Sequence, residues 1–254
     1  MKTPTSLAAR IAILIGVLTV LVLATIGGSY ALGLGPWRGH EPAKAEDQGD
    51  PTPFEPAPAG GEVVATADGE PIYLADVRSR IQGLSAMHGE IQDSLGEDWH
   101  EVVLQSVVDD ALIVAEADRR DIVVTRGEIA ASVERIRGMF ETEAEFGSWL
   151  EDQGMGIEDL ERRIWLQTIA ARVYLAVTED VTVTGEELRS YYRNHRDEFE
   201  GADGFITPFI AVRVSLRQDL LKDKQDQAYA AWLEEARAAV EVVVLDEGWW
   251  KELP

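Results

Sequence analysis

Cysteine is absent from all 254 residues. That excludes disulfides, thiolate metal sites, a thiol nucleophile and a lipid-modified cysteine anchor. Basic residues are scarce as well: 23 Lys and Arg stand against 46 Asp and Glu, a formal charge of −23. Residues 1–60 account for only −1 of this, so the acidity belongs to residues 61–254. Such a surface repels phosphate backbones, which excludes nucleic acid as a partner and favours neutral or basic polypeptide. The motifs of common catalytic sites are also missing. Gly60-Gly61 and Gly154-Met155-Gly156 lack a phosphate-loop lysine, and there is no Gly-x-Ser-x-Gly. His40, His88, His100 and His195 offer no His-Glu-x-x-His spacing. Asp109 and Asp110 are neighbours on a helix and point about 100° apart, too far to flank one substrate bond. One is expected to face water and the other an arginine or a helix terminus. No catalytic residue, cofactor or metal ligand is assigned.

What is present begins with an uncharged run. Lys2 and Arg10 mark residues 1–10, and residues 11–35 follow without a charge. A helix of about 20 apolar residues spans a bilayer, whereas a cleaved signal peptide has a shorter apolar region. Residues 11–35 therefore read as a transmembrane signal anchor, with residues 1–10 cytoplasmic and the body outside the cell membrane. Ser29-Tyr30-Ala31 offers a small-x-small cleavage site, so secretion after signal cleavage is the alternative. Residues 36–61 hold six of the ten prolines and almost no large apolar side chains. They read as a disordered Pro-rich linker.

The body, residues 62–248, is organised around Val63-Val64-Ala65-Thr66-Ala67-Asp68-Gly69-Glu70-Pro71-Ile72-Tyr73. Two short strands flank an Asp-Gly turn and run into a helix near Leu74. A hairpin this small needs a third strand, and the best candidate is Val240 to Leu245, near the other end of the chain. Between them, Thr125-x-x-Glu128, Thr142-x-x-Glu145 and Thr184-x-x-Glu187 are capping boxes, each followed by helix-period apolar residues. Helices are expected over Asp98–Arg120, Thr125–Phe140, Glu143–Gln153, Ile157–Val177, Thr184–Phe199 and about Val212–Val240. The fold class is mainly α, a multi-helix domain closed by a small β-sheet of N- and C-terminal segments and preceded by one transmembrane helix. Trp249 and Trp250 open a short tail, residues 249–254, and are expected to pack on the hairpin's outer face.

Three stretches, Val63 to Tyr73, Leu112 to Thr125 and Val181 to Tyr192, resemble the N-terminal chaperone domain of SurA-type and PrsA-type foldases. A peptide-binding domain of related fold occurs in trigger factor. The resemblance covers about residues 62–246. It implies a helix such as Tyr191–Phe199 leading into a parvulin prolyl-isomerase domain, and a return helix such as Lys222–Leu233. Here only Glu200 to Ala211 lie between the two. The resemblance therefore implies the chaperone part without the isomerase: an ATP-independent holdase for unfolded or exported polypeptides. Two alternatives stand beside it, a peptidyl-prolyl isomerase-type foldase and a non-catalytic envelope scaffold with one specific partner.

Apolar side chains at helix ends and breaks are harder to bury, and flexible methionines suit a surface that accepts many sequences. By that reasoning Met87, Met139, Phe140, Trp149, Met155 and Trp165 are the candidate peptide-binding residues. Phe140 and Trp149 could equally be ordinary core. Trp165 follows Ile164, partly off the apolar stripe of its helix, and is expected to be the more exposed aromatic. Oligomeric state and client identity stay open.

Overall fold

The computed structural model describes residues 49–57, 60–88, 95–96, 98–201, 204–245 and 248–252. The apolar run of residues 11–35 lies outside them. Among the described residues no helix is long and apolar enough to cross a membrane.

The hairpin forms as its turn chemistry dictates. β1 (Val63–Ala67) and β2 (Glu70–Tyr73) run antiparallel, with Ala67 opposite Glu70. Asp68 and Gly69 take φ of 48° and 85°, the paired positive values that a two-residue hairpin turn of matching twist needs. β3 (Val242–Val244) lies along the other side of β1, antiparallel, with Thr66 opposite Val243. The sheet order is β2-β1-β3. The two ends of the body do meet, and across the junction the Asp68 carboxylate accepts the Glu241 backbone N–H at 2.9 Å.

Among the described residues seven α-helices follow the hairpin and precede β3. They are α1 (Leu74–His88), α2 (Trp99–Arg119), α3 (Arg126–Arg137), α4 (Glu143–Asp152), α5 (Ile157–Val177), α6 (Gly185–Asn194) and α7 (Phe209–Ala239). Thr125 and Thr184 each accept the N3 amide of their helix while the N3 glutamate returns to the cap nitrogen, so two capping boxes are complete. The third is only half formed. Thr142 accepts the Glu145 N–H, but the Glu145 carboxylate bonds the Glu141 N–H instead.

The chain divides into two compact units. The first runs to Val173 and resumes at Ala236, and the second is Tyr174–Glu235. The core of the first includes Val64, Ile72, Val77, Val103, Val108, Ile113, Ile129 and Val173, all buried. Two ion pairs on α2 sit within this unit. Asp109 takes both guanidinium nitrogens of Arg237 at 2.7 and 2.6 Å, and Asp110 pairs with Arg80 of α1. Neither aspartate faces water, contrary to the expectation from their adjacency. Both arginines come from other helices, Arg80 from α1 and Arg237 from the last turn of α7, and a buried carboxylate persists only when paired. Burial pushes the Asp110 carboxyl above its usual range, against the pull of Arg80.

The Trp249 ring packs edge-on to Trp99, and Trp250 stacks on His100 at 4.0 Å between centroids. The tail rings thus lie on the first turn of α2, where Trp99 and His100 supply aromatic partners, and not on the hairpin's outer face.

A second difference concerns the Pro-rich linker. From Asp50 onward it is tied to the body across the start of α3. Phe54 N–H donates to Val124 O at 2.8 Å, Arg126 N–H to Thr52 O at 2.8 Å and Gly127 N–H to Asp50 O at 2.9 Å. The first N–H groups of a helix lack partners within it. Here two of them are satisfied by linker carbonyls and a third, that of Glu128, by Thr125. The Arg126 guanidinium lies 5.8 Å from the Phe54 ring centre, and Arg162 holds Ala57 O.

The second unit has its own core of Val183, Leu188, Tyr192 and Leu216, with Phe199, Phe209, Val212 and Leu220 packed around it. Tyr174 donates to Asp226 at 2.8 Å. Burial, then the Asp226 carboxylate, pushes the phenol well above its ordinary range. Lys224 bridges the Thr182 carbonyl and Glu187, both at 2.7 Å.

Candidate peptide-binding surfaces

A surface that holds unfolded chain must leave apolar groups in water while the fold beneath stays closed. Of the six residues selected from sequence, Met139 meets this directly: it is 66% exposed, in the turn after α3. Phe140 and Trp149 flank Phe146, with ring centres 5.6 and 6.0 Å from it and 5.5 Å from each other. Phe146 is buried and the outer two are half-buried. The three rings pack on one another around the turn between α3 and α4. Met155 is buried, its N–H bonded to Leu150 O at 3.0 Å. Trp165 is half-buried on α5, because a 21-residue helix covered on more than one side leaves little room off its main stripe. Met87 lies in the last turn of α1, and its side chain is outside the described residues. The structure brings Met139, Phe140 and Trp149 into one neighbourhood and leaves Met155 beneath the surface.

The largest exposed apolar side chains lie elsewhere. In the second unit, a 3₁₀ turn (Arg196–Phe199) is followed by a bridge between Glu200 and Ile206. Thr207 N–H donates to Phe199 O at 2.8 Å, and the Tyr192 hydroxyl donates to Thr207 O at 2.7 Å. These bonds deliver the chain to Pro208 and the start of α7. There Phe209, Val212 and Leu216 turn inward onto Tyr192 and its neighbours. Ile210 and Val214, one turn apart, face out at 72% and 63% exposure, and Phe205 before them is 74% exposed. A helix end apolar on two faces buries one and offers the other. The signal was present in sequence: Phe205-Ile206-Thr207-Pro208-Phe209-Ile210-Ala211-Val212-Arg213-Val214 carries more large apolar residues than one helical face can bury.

The first unit has a second open surface on β3. Val242, Val243 and Val244 are 39%, 43% and 42% exposed, and Leu245 is 57% exposed. A strand whose side chains are open on both faces, at the edge of its sheet, is unusual for such β-prone residues. Among the described residues no cluster of His, Asp or Glu is arranged to hold a metal ion.

The described residues form a mainly helical fold with a small three-stranded sheet, and they leave apolar side chains in solvent. Residues 54–174 match the family model of the SurA-like N-terminal domain. Curated relatives agree. The chain is 27% identical over 184 residues to the Foldase protein PrsA of Clostridium perfringens strain 13, covering 66% of this chain and 50% of that protein. It is 29% identical over 153 residues to the Foldase protein PrsA of Caldanaerobacter subterraneus subsp. tengcongensis, covering 55% of this chain and 45% of that one. With the PrsA of Clostridium acetobutylicum the figures are 26% over 103 residues, 39% and 31%. The chain spans half or less of the length of these relatives.

Proposed function

We propose that this protein has a chaperone-type function and acts as an ATP-independent holdase for unfolded or exported polypeptides. Its body would work outside the cytoplasmic membrane, tethered by the apolar segment of residues 11–35. The SurA-like domain and the PrsA relatives support the chaperone reading in general. The observation that carries the holdase reading is the exposed face of Phe205, Ile210 and Val214, mounted on a loop fixed by main-chain bonds. Covering a client's apolar segment with such a face retards aggregation without chemistry. Met139, with Phe140 and Trp149 behind it, is a further contact in this reading.

Isomerase activity is not part of the proposal, since residues 200–208 are all that separate the 3₁₀ turn from α7. The printed name of the relatives, foldase, keeps that reading as the rival. A refolding reaction limited by prolyl isomerisation decides between them: acceleration by the full chain would favour the rival. The holdase reading is tested by light scattering of several unrelated unfolded proteins. Near-stoichiometric wild type is expected to suppress aggregation, and the double variant Ile210→Asp, Val214→Asp to lose most of that effect with an unchanged melting temperature. Protection of none of the substrates would sink the reading and favour a scaffold for one partner.

A further inference from the structure

We infer that the outer edge of β3 takes an extended apolar polypeptide segment flanked by basic residues, adding it to the sheet as a fourth strand. The inference rests on the chaperone reading and names how one kind of client segment is held.

The phase of the ladder fixes which backbone groups are available. Asp68 N–H donates to Glu241 O at 3.0 Å, and Leu245 N–H donates to Val64 O at 2.9 Å. Hydrogen-bonding residues alternate along an antiparallel strand, so between these two bonds Val243 turns its N–H and C=O toward Thr66. Val242 and Val244 turn theirs away from the sheet. Two donors and two acceptors thus face outward over about 7 Å of strand, at roughly 3.4 Å per residue. That spacing is what an incoming strand requires.

The other edge of the same sheet is protected. β2 carries Pro71 opposite Thr66. Thr66 points its backbone groups at β3, so Pro71 occupies the position whose N–H would otherwise face outward. The β1–β2 pairing also slips between Val63 and Ala65. Proline and irregular register are devices that blunt an edge. β3 has neither, and it has no lysine: it reads Val-Val-Val, followed by Leu245, with every side chain exposed. One edge is closed to pairing and the other is left open with the most β-prone residues of the chain.

Charge selects the occupant. Glu241 stands at the start of the strand, with the Asp68 carboxylate 2.9 Å from its backbone nitrogen, and the whole chain carries −23. A second copy pairing edge to edge would bring two such acidic bodies together and meet repulsion. A segment with Val, Ile, Thr or aromatic residues at its centre and Lys or Arg at its ends gains both the ladder and the opposite charge, the latter weakened by salt.

The test uses the full chain and a labelled peptide, Lys-Lys-Val-Thr-Val-Thr-Val-Lys-Lys, read by fluorescence anisotropy. Controls are the same core flanked by Glu-Glu and a version with proline at its centre. Val244→Pro removes an outward N–H and no bond to β1. It is expected to weaken peptide binding about tenfold, the scale of one lost hydrogen bond, with the melting temperature kept. In wild type the Val242 and Val244 amides are expected to gain hydrogen-exchange protection when the peptide is bound. That measurement decides the matter if the proline variant fails to fold. Equal binding by Val244→Pro, or amides left unprotected in the complex, would overturn the inference. So would a dimer in wild type that Val244→Pro dissolves, which would assign the edge to a second copy. Wild type that suppresses aggregation yet ignores the peptide overturns the edge and leaves the holdase reading standing. Wild type that binds the peptide through β3 but protects no unfolded protein supports the edge and removes the holdase.

Discussion

Arg237, in the last turn of α7, grips Asp109 of α2 with two parallel bonds of 2.7 and 2.6 Å, and both side chains are almost wholly out of water. This fork holds the final turn of the last helix on the first unit just before the chain enters β3. Changing Arg237 to Ala leaves a buried carboxylate without its main partner and is expected to cost about 3–5 kcal/mol. The paired change Arg237→Met, Asp109→Leu is expected to recover most of it, because two apolar groups need no partner. Urea denaturation of the wild type, the single and the double variant measures both.

Acid is expected to loosen the second unit through Glu187. The hydrogen bond from Lys224, then those from the Thr184 backbone and hydroxyl, hold its carboxyl at about 2. A depressed folded value means the unfolded chain binds the proton more readily. The stabilisation is therefore complete above the ordinary glutamate range near 4.3 and fades as pH falls from there toward 2. Lys224→Met is expected to move the Glu187 titration up toward the ordinary range and flatten that part of the stability curve. Carboxyl carbon shifts followed by NMR between acid and neutral pH read the first, and thermal melts over the same range read the second.

Gly49 tests the docked linker. It takes φ of +64°, and an added Cβ would stand 2.9 Å from the Gly127 Cα, backbone against backbone. Gly49→Ala is therefore expected to lift the segment off α3. The Arg126 and Gly127 amides, which donate to it, should then exchange about tenfold faster, with a stability loss of about 1 kcal/mol, comparable to losing a helix cap. Hydrogen exchange resolved to single amides checks this directly. Unchanged protection at both positions would show that their partners lie elsewhere.

Much of the fold was legible because its signals are local. Asp68-Gly69 can make few turns other than the one seen, and Thr-x-x-Glu at Thr125 and Thr184 wrote two helix starts into four residues each. The return of β3 to β1 was legible because a bare hairpin needs a partner and the valines were the best strand available. Other features had no local signature. The linker docks through main-chain carbonyls of Asp50 and Thr52, and composition reports side chains rather than carbonyls. Asp109 and Asp110 both find arginines on other helices, a tertiary fact. The candidate surface was read least well. A helix end favours poor burial, yet Phe140, Phe146 and Trp149 stack together at one. The face of Ile210 and Val214 had its signal in the apolar run from Phe205 to Val214, but that run does not say which of its side chains turn inward.

The pairing of Thr66 with Val243 sets an order of events in time. Synthesis delivers the hairpin first and the described helices next, and only then the valines that complete the three-stranded arrangement. Until that moment the inner strand lacks the partner on its second flank. Closure of this ring of contacts therefore announces that the whole body has emerged and that its helices have drawn the distant segments together, making it a late step in maturation.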